Sequence, residues 1–297
     1  MQRKSGMDAF GATILIVIAM VLGLNQVIIK MTNVGLQPVF ASGLRSVGAT
    51  ILLFLWMRYR KQGPHFSREA LPMGLACGVL FAVEFVLLFV ALDYTSVAHS
   101  ALMLYSMPVW MALMAHFLIP AERLTTRKTI GLALAFGGVA IALLARGGNG
   151  DSSLLGDLMA LIAAICWAMI ALIARQTAFS KVEPVMQIYW QVSVSAILLM
   201  AVSPLFGPFI REFQMIHLAG LAYQTIIVVT LTFLIWFWLL KIYPASGVAS
   251  FGFLAPLFGV IFGWLILGET VGPTLALALV LVCSGLFLIN RGGRKPA

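Results

Sequence analysis

Charge is scarce in this chain: Asp, Glu, Lys and Arg make up only 10% of its 297 residues. A soluble domain carries roughly 25%, so a soluble globule is excluded, since most of its helices would have no polar face for water. Cysteine is also scarce. Cys77, Cys166 and Cys283 each lie inside an apolar run. They form neither a metal-ligand spacing nor a disulfide framework, and they say nothing about redox compartment. No G-x-x-x-x-G-K-[ST] loop is present, which argues against transport powered by the chain's own ATP hydrolysis. The segment Gly147-Gly148-Asn149-Gly150 reads as a flexible loop and not as a phosphate cradle. H-E-x-x-H, G-x-S-x-G and facing pairs of aspartates are missing too, so no catalytic constellation points to an enzyme. No metal and no cofactor are expected.

What the chain has in abundance is apolar residues, 62% of the total, with a mean hydropathy of +1.04. Runs of about 20 such residues are long enough to cross a hydrocarbon core of about 30 Å. Ten spans are expected, at 10–31, 39–57, 71–92, 97–119, 127–145, 155–175, 185–203, 215–240, 245–267 and 272–290. The lipid bilayer is therefore an obligatory partner, and the fold class is an all-α membrane protein. Arg3 and Lys4 precede the first run as in a signal peptide. No small-residue cleavage site follows, so the run reads as a retained helix. The net charge of +9 is spread over short loops instead of one patch, which speaks against nucleic acid. With both termini in the cytoplasm, 15 of the 19 lysines and arginines fall on the inner side. That bias predicts a multi-pass protein in this orientation.

An internal repeat runs through these spans. Tyr94, Pro108, Glu122 and Gly138 are echoed by Tyr243, Pro256, Glu269 and Gly285, with gaps of 14, 14 and 16 residues against 13, 13 and 16. Weaker echoes pair Lys30 and Pro38 with Arg175 and Pro184. The expected domains are two five-helix repeats, 1–146 and 147–297. An odd number of helices turns the second copy upside down, and such inverted repeats place a site near the midplane.

An ionisable residue inside the membrane costs at least about 2.5–3.5 kcal/mol on insertion scales, so each one needs a reason. Glu84 in span 3 and Arg45 in span 2 lie at similar depths, roughly 10–12 Å from the outer helix ends. They can form an ion pair facing a polar cavity or a purely structural pair; both readings stand. Asn25 interrupts the first span and either binds solute or bonds a neighbouring helix. Gln191 follows Pro184 by seven residues, as Arg45 follows Pro38. His99, at the outer start of span 4, is a proton site or an interfacial residue; Asp157 and His116, near helix ends, read as interfacial. Trp56, Trp190, Trp236, Trp238 and Trp264 near helix ends suit an aromatic belt. Trp110 and Trp167 lie deeper, and Trp167 is the better candidate for a cavity wall, with Phe253 and nearby methionines. Pro108 and Pro256 each remove a helical hydrogen bond and predict paired kinks.

The stretch Ala91–Leu144, with A-L-D-Y-T, P-V, E-R-L-T and the later glycine pattern, resembles the EamA family of the drug/metabolite transporter superfamily. Leu240–Ile289, with A-P-L-F-G-V-I-F-G-W-L-I-L-G-E-T, is similar to the family's second copy. One departure is Leu22-Gly23, where the family often has Trp-Gly. The resemblance implies ten helices in two inverted repeats around a central cavity, with spans 5 and 10 peripheral. It also implies secondary transport by alternating access. The chain looks closest to the YddG-type exporters of aromatic and other amino acids, such as methionine or threonine. The partner is then a small molecule, an amino acid or a related metabolite, with protons as a candidate coupling ion. Exporters of amphipathic cations or other metabolites are the alternative within transport; a membrane-embedded enzyme or a channel is the alternative outside it.

Overall fold

The computed structural model describes residues 7–61, 63–64, 67–119, 123–144, 153–249 and 251–290. Among these residues ten membrane-length helices follow one another: α1 Ala9–Gly35, α2 Pro38–Tyr59, α3 Leu71–Tyr94, α4 Val97–Leu118 and α5 Thr126–Leu144 form the first half. The second half holds α6 Leu154–Gln176, α7 Pro184–Phe206, α8 Met215–Ile242, α9 Gly247–Leu267 and α10 Pro273–Asn290. Among the described residues there is no β-strand. In hydrocarbon each backbone N–H and C=O must be satisfied inside its own segment, which leaves the helix as the solution for spans of this length.

The starts of the helices are written locally. The Asp8 carboxylate accepts from the Gly11 amide at 2.9 Å, and the Ser96 and Ser153 hydroxyls accept from His99 and Gly156 at 3.1 Å each. Such caps satisfy amides that have no partner within the helix. Pro38, Pro72 and Pro184 occupy first turns, where the missing N–H costs nothing.

Two spans are interrupted. In α4 the helix stops at Leu104 and restarts at Met107, with Pro108 in the first turn of the second piece. Ser106, in the break, donates to the Met103 carbonyl at 2.6 Å and accepts from the Trp110 indole at 3.1 Å, so local side chains replace lost backbone bonds. In α9 a turn over 251–253 precedes the piece Leu254–Leu267, and Pro256 again lies in the first turn. A third irregularity carries no proline: Tyr223–Thr232 in α8 is wound as a π-helix. The Thr230 and Thr232 hydroxyls donate five residues back, to the carbonyls of Thr225 and Ile227. Nothing in the apolar pattern announces this winding, because a π segment is as apolar as the α-helix around it.

The packing repeats with the chain. Three of the larger pairs join helices five places apart: α5 with α10, α2 with α7 and α4 with α9. The others come in matched couples: α1–α9 with α6–α4, α3–α6 with α8–α1, and α3–α7 with α8–α2. Exchanging each helix with the one five places along maps these larger pairs onto one another, as two equivalent halves require, whereas α2–α3, α1–α3 and α1–α4 have no counterpart of similar extent. The α5–α10 pair is glycine-dependent: a Cβ on Gly285 would stand 2.5 Å from the Gly131 carbonyl, so only glycine allows this approach.

Two sequence expectations change. Trp190 is 5% exposed and packed against Gly74, inside the bundle instead of on its lipid-facing surface. Asp157 is 1% exposed, buried at the helix end instead of facing the interface. Each lies near a helix end in sequence, but a neighbouring helix covers it. Glu122, Arg146, the terminal basic residues and the expected boundary between the repeats lie outside the described residues.

Candidate functional site

Two groups of buried polar side chains lie between the helices. The first is built from α2 and α3. Arg45 is 1% exposed and Glu84 is 4% exposed, yet no nitrogen of one comes within 4 Å of an oxygen of the other. The Arg45 guanidinium lies instead on the ring of Phe85, 3.7 Å from its centroid, with Phe89 at 5.0 Å. Its Nε and Nη2 atoms have no hydrogen-bond partner, and neither do Glu84 Oε2 and Ser42 Oγ, the latter one turn away on α2. Below them the Ser195 hydroxyl donates to that of Ser46 at 3.1 Å and ties α7 to α2. Buried polar atoms are nearly always partnered, because an unpartnered one forfeits its hydration without return. In this cluster the cost of burying those atoms is left uncompensated by the surrounding side chains.

The second group surrounds the break in α4. Asn25 Oδ1 and Gln26 Nε2 on α1 have no partners, while Gln26 Oε1 accepts from the Ser100 hydroxyl at 2.8 Å. The Tyr105 and Tyr223 hydroxyls donate to the carbonyls of Leu22 and Val21, at 2.9 and 3.1 Å. These bonds hold one face of α1 from two sides. Trp167 meets Tyr105 edge-on at 6.2 Å and packs in the same apolar cluster as Phe85. Trp167 is thus in ring contact with Tyr105 of the second group and shares an apolar cluster with Phe85 of the first.

Not every candidate joins them. Gln191 donates along its own helix to the Gln187 carbonyl at 3.3 Å. Phe253 lies edge-on to Phe287 of α10 at 5.8 Å. His99 points its Nδ1 at Asp157, 3.0 Å from Oδ2, in a separate network at the end of the bundle that holds the α3–α4 turn.

That network was not foreseen as a unit. The Glu269 carboxylate accepts from the backbone amides of Val97 at 2.7 Å and Ala98 at 3.0 Å, and Lys30 Nζ stands 3.4 Å away. Lys30 also donates to the Thr95 carbonyl at 2.8 Å, and the Thr95 hydroxyl donates to Asp157 at 2.5 Å. A residue after α9 thereby caps α4, while α1 and α6 hold the turn before it. Beside it, Arg211 bridges Asp93 at 2.9 Å and the Asn33 carbonyl at 2.9 Å, laying the α7–α8 loop over the ends of α1 and α3. In the sequence Glu269 is visible only as a marker of the repeat and Lys30 only as a basic residue near a helix end. Among the described residues no cluster of three or more His, Cys, Asp or Glu is arranged to hold a metal ion.

Among the described residues, ten membrane-length helices in two equivalent halves, with unsatisfied polar groups buried between them, define a polytopic membrane protein. Residues 9–144 and 154–291 each match the EamA-like transporter family, and the chain belongs to that family. Among curated relatives it is 24% identical to "Uncharacterized transporter YoaV" of Bacillus subtilis (strain 168), covering 92% of this chain and 94% of that protein. It is 25% identical to the "Probable amino-acid metabolite efflux pump" of Escherichia coli (strain K12), covering 97% and 95%. It is also 25% identical to the "S-adenosylmethionine/S-adenosylhomocysteine transporter" of Chlamydia muridarum (strain MoPn / Nigg), covering 85% and 83%. A crystal structure of another protein shares the fold, with a TM-score of 0.66 at 21% identity over 95% of this chain and 96% of that one.

Proposed function

We propose that this transporter exports amino acids or close metabolites across a bacterial inner membrane by alternating access, with both termini in the cytoplasm. The two repeats, 1–146 and 147–297, rock about a site between them. The carrying observation is the group of unpartnered, buried polar atoms of Arg45, Glu84, Ser42, Asn25 and Gln26, walled by Trp167 and Tyr105. Polar groups that satisfied one another would suit a static core. Groups left open beside aromatic rings suit a solute with a charged end and a variable apolar end. Names of relatives that include amino-acid metabolite efflux and S-adenosylmethionine transport support the substrate class.

Counterflow in proteoliposomes tests this. Vesicles loaded with one unlabelled amino acid should take up the same labelled compound with saturation, and a pH gradient should reveal any coupling to protons. Uptake without saturation or exchange would indicate a channel. A second reading, export of amphipathic cations, is favoured by the position of Glu84 alone. It predicts exchange of a cation that has no carboxylate.

A further inference from the structure

We infer that the Arg45–Glu84 site is a receptor for both ends of a zwitterion. A carboxylate binds side-on to Arg45 and an ammonium binds at Glu84. This rests on the reading of the chain as an amino-acid carrier and specifies the chemistry that its substrate must carry.

Which atoms are unpartnered decides the point. Arg45 Nε and Nη2 bear the two parallel N–H bonds along one side of the guanidinium, and both lack a partner. Side-on pairing through such a fork is the arrangement that fits the two oxygens of one carboxylate. The ring centroids of Phe85 and Phe89 stand 3.7 and 5.0 Å from the guanidinium carbon, with Phe85 packed directly against it and Phe89 inclined at 68° to Phe85. Donors lie in the guanidinium plane, so a stacked ring leaves them free and fixes the direction in which they point. Phe85 and Phe89 are therefore positioning residues for Arg45. A lysine would keep the charge and lose the fork.

Glu84 supplies the other half. Its Oε2 is buried without a donor, in a residue 4% exposed. Were this a purely structural pair, the obvious donor would be Arg45, the nearest opposite charge, yet the two stay more than 4 Å apart. Buried opposite charges that stay apart, with two donors of one and an acceptor of the other unused, match an inserted group that carries both charges. An anion alone would leave Glu84 unpaired, and a cation alone would leave the fork unpaired; either leaves a buried charge uncompensated. Specificity thus resides in the two ends, and the aromatic wall by Trp167 tolerates different side chains.

The experiment uses the purified full-length chain and two readouts, counterflow and thermal stabilisation in detergent. The probes are L-methionine, L-threonine and L-phenylalanine, with the methyl ester and the N-acetyl derivative of each. Esterification removes the carboxylate and acetylation removes the ammonium. The expected result is stabilisation and exchange by at least one free amino acid. Its two derivatives should compete at least about tenfold less well, the loss anticipated for one buried charged hydrogen bond. Glu84→Gln should narrow the gap between the free amino acid and its N-acetyl form. Arg45→Lys should weaken the free amino acid and narrow its gap to the ester. If a free amino acid is exchanged and its ester or N-acetyl form competes equally, the two-ended site is wrong while the carrier stands. If no free amino acid is exchanged or stabilises folded wild-type protein, both readings fall. Stabilisation without exchange upholds the site and removes the proposed export. The wild-type series stands even where a variant fails to fold.

Discussion

Replacing Glu269 with alanine should cost far more than its position after a helix suggests. The carboxylate is 8% exposed and closes three contacts at once: the Val97 amide at 2.7 Å, the Ala98 amide at 3.0 Å and Lys30 at 3.4 Å. Each amide bond is charge-assisted, and such bonds contribute about 1.5–3 kcal/mol. Lys30 is 29% exposed at its side chain, so its share of the pair is screened and amounts to about 0–1 kcal/mol. Removing the carboxylate leaves two buried amides at a helix N-terminus without acceptors, and some relaxation offsets part of the sum. The net loss should be about 3–5 kcal/mol. Glu269→Gln retains one acceptor and should cost about half as much, whereas Lys30→Met should cost about 1 kcal/mol, mainly through its bond to the Thr95 carbonyl. Unfolding in mixed micelles with rising denaturing detergent measures all three. If Lys30→Met were as damaging as Glu269→Ala, the ion pair and not the helix cap would dominate. Wild-type stability in Glu269→Ala would refute the cap altogether.

Other consequences can be checked with the same unfolding assay. Asp157→Ala strips the Thr95 hydroxyl and the His99 ring of their common partner and should cost about 2–4 kcal/mol, while Asp157→Asn, which can still accept from one of them, should cost clearly less. Gly285→Ala forces a Cβ to within 2.5 Å of the Gly131 carbonyl, so the α5–α10 pair must separate at about 1–3 kcal/mol. Gly137→Ala, in the same pair but with nothing near its new methyl, should be neutral or stabilise by up to about 1 kcal/mol; equal losses at both positions would refute the close-approach explanation. Arg211→Ala removes a pair whose arginine side chain is 39% exposed and should shift stability by no more than about 1 kcal/mol, an effect that added salt should further reduce in the wild type.

Much of this protein is determined by one-dimensional information. Ten apolar runs of bilayer length became ten helices because hydrocarbon leaves the backbone no other partner, and their ends moved by only a few residues. Caps such as Asp8, Ser96 and Ser153, and first-turn prolines such as Pro38, act within one turn of their own position and so are readable where they stand. The repeat is legible for the same reason: equivalent environments call for the same residue types at the same spacing. Arg45 and Glu84 stood out because a charge in an apolar run is expensive wherever the run goes.

Tertiary structure alone decided which of these residues meet. Glu269 lies 172 residues from the amide it caps, and Asp157 lies 58 from His99. No local pattern encodes such distances. Helix-end positions made Asp157 and Trp190 look interfacial, and only the neighbouring helices showed them covered. Depth allowed Arg45 and Glu84 to pair, but depth says nothing of rotation about a helix axis. That rotation laid the guanidinium on Phe85 and left its fork, and an oxygen of the Glu84 carboxylate, unused. A sequence sets the cost of burying each group, and the packing of distant helices determines what, if anything, compensates it.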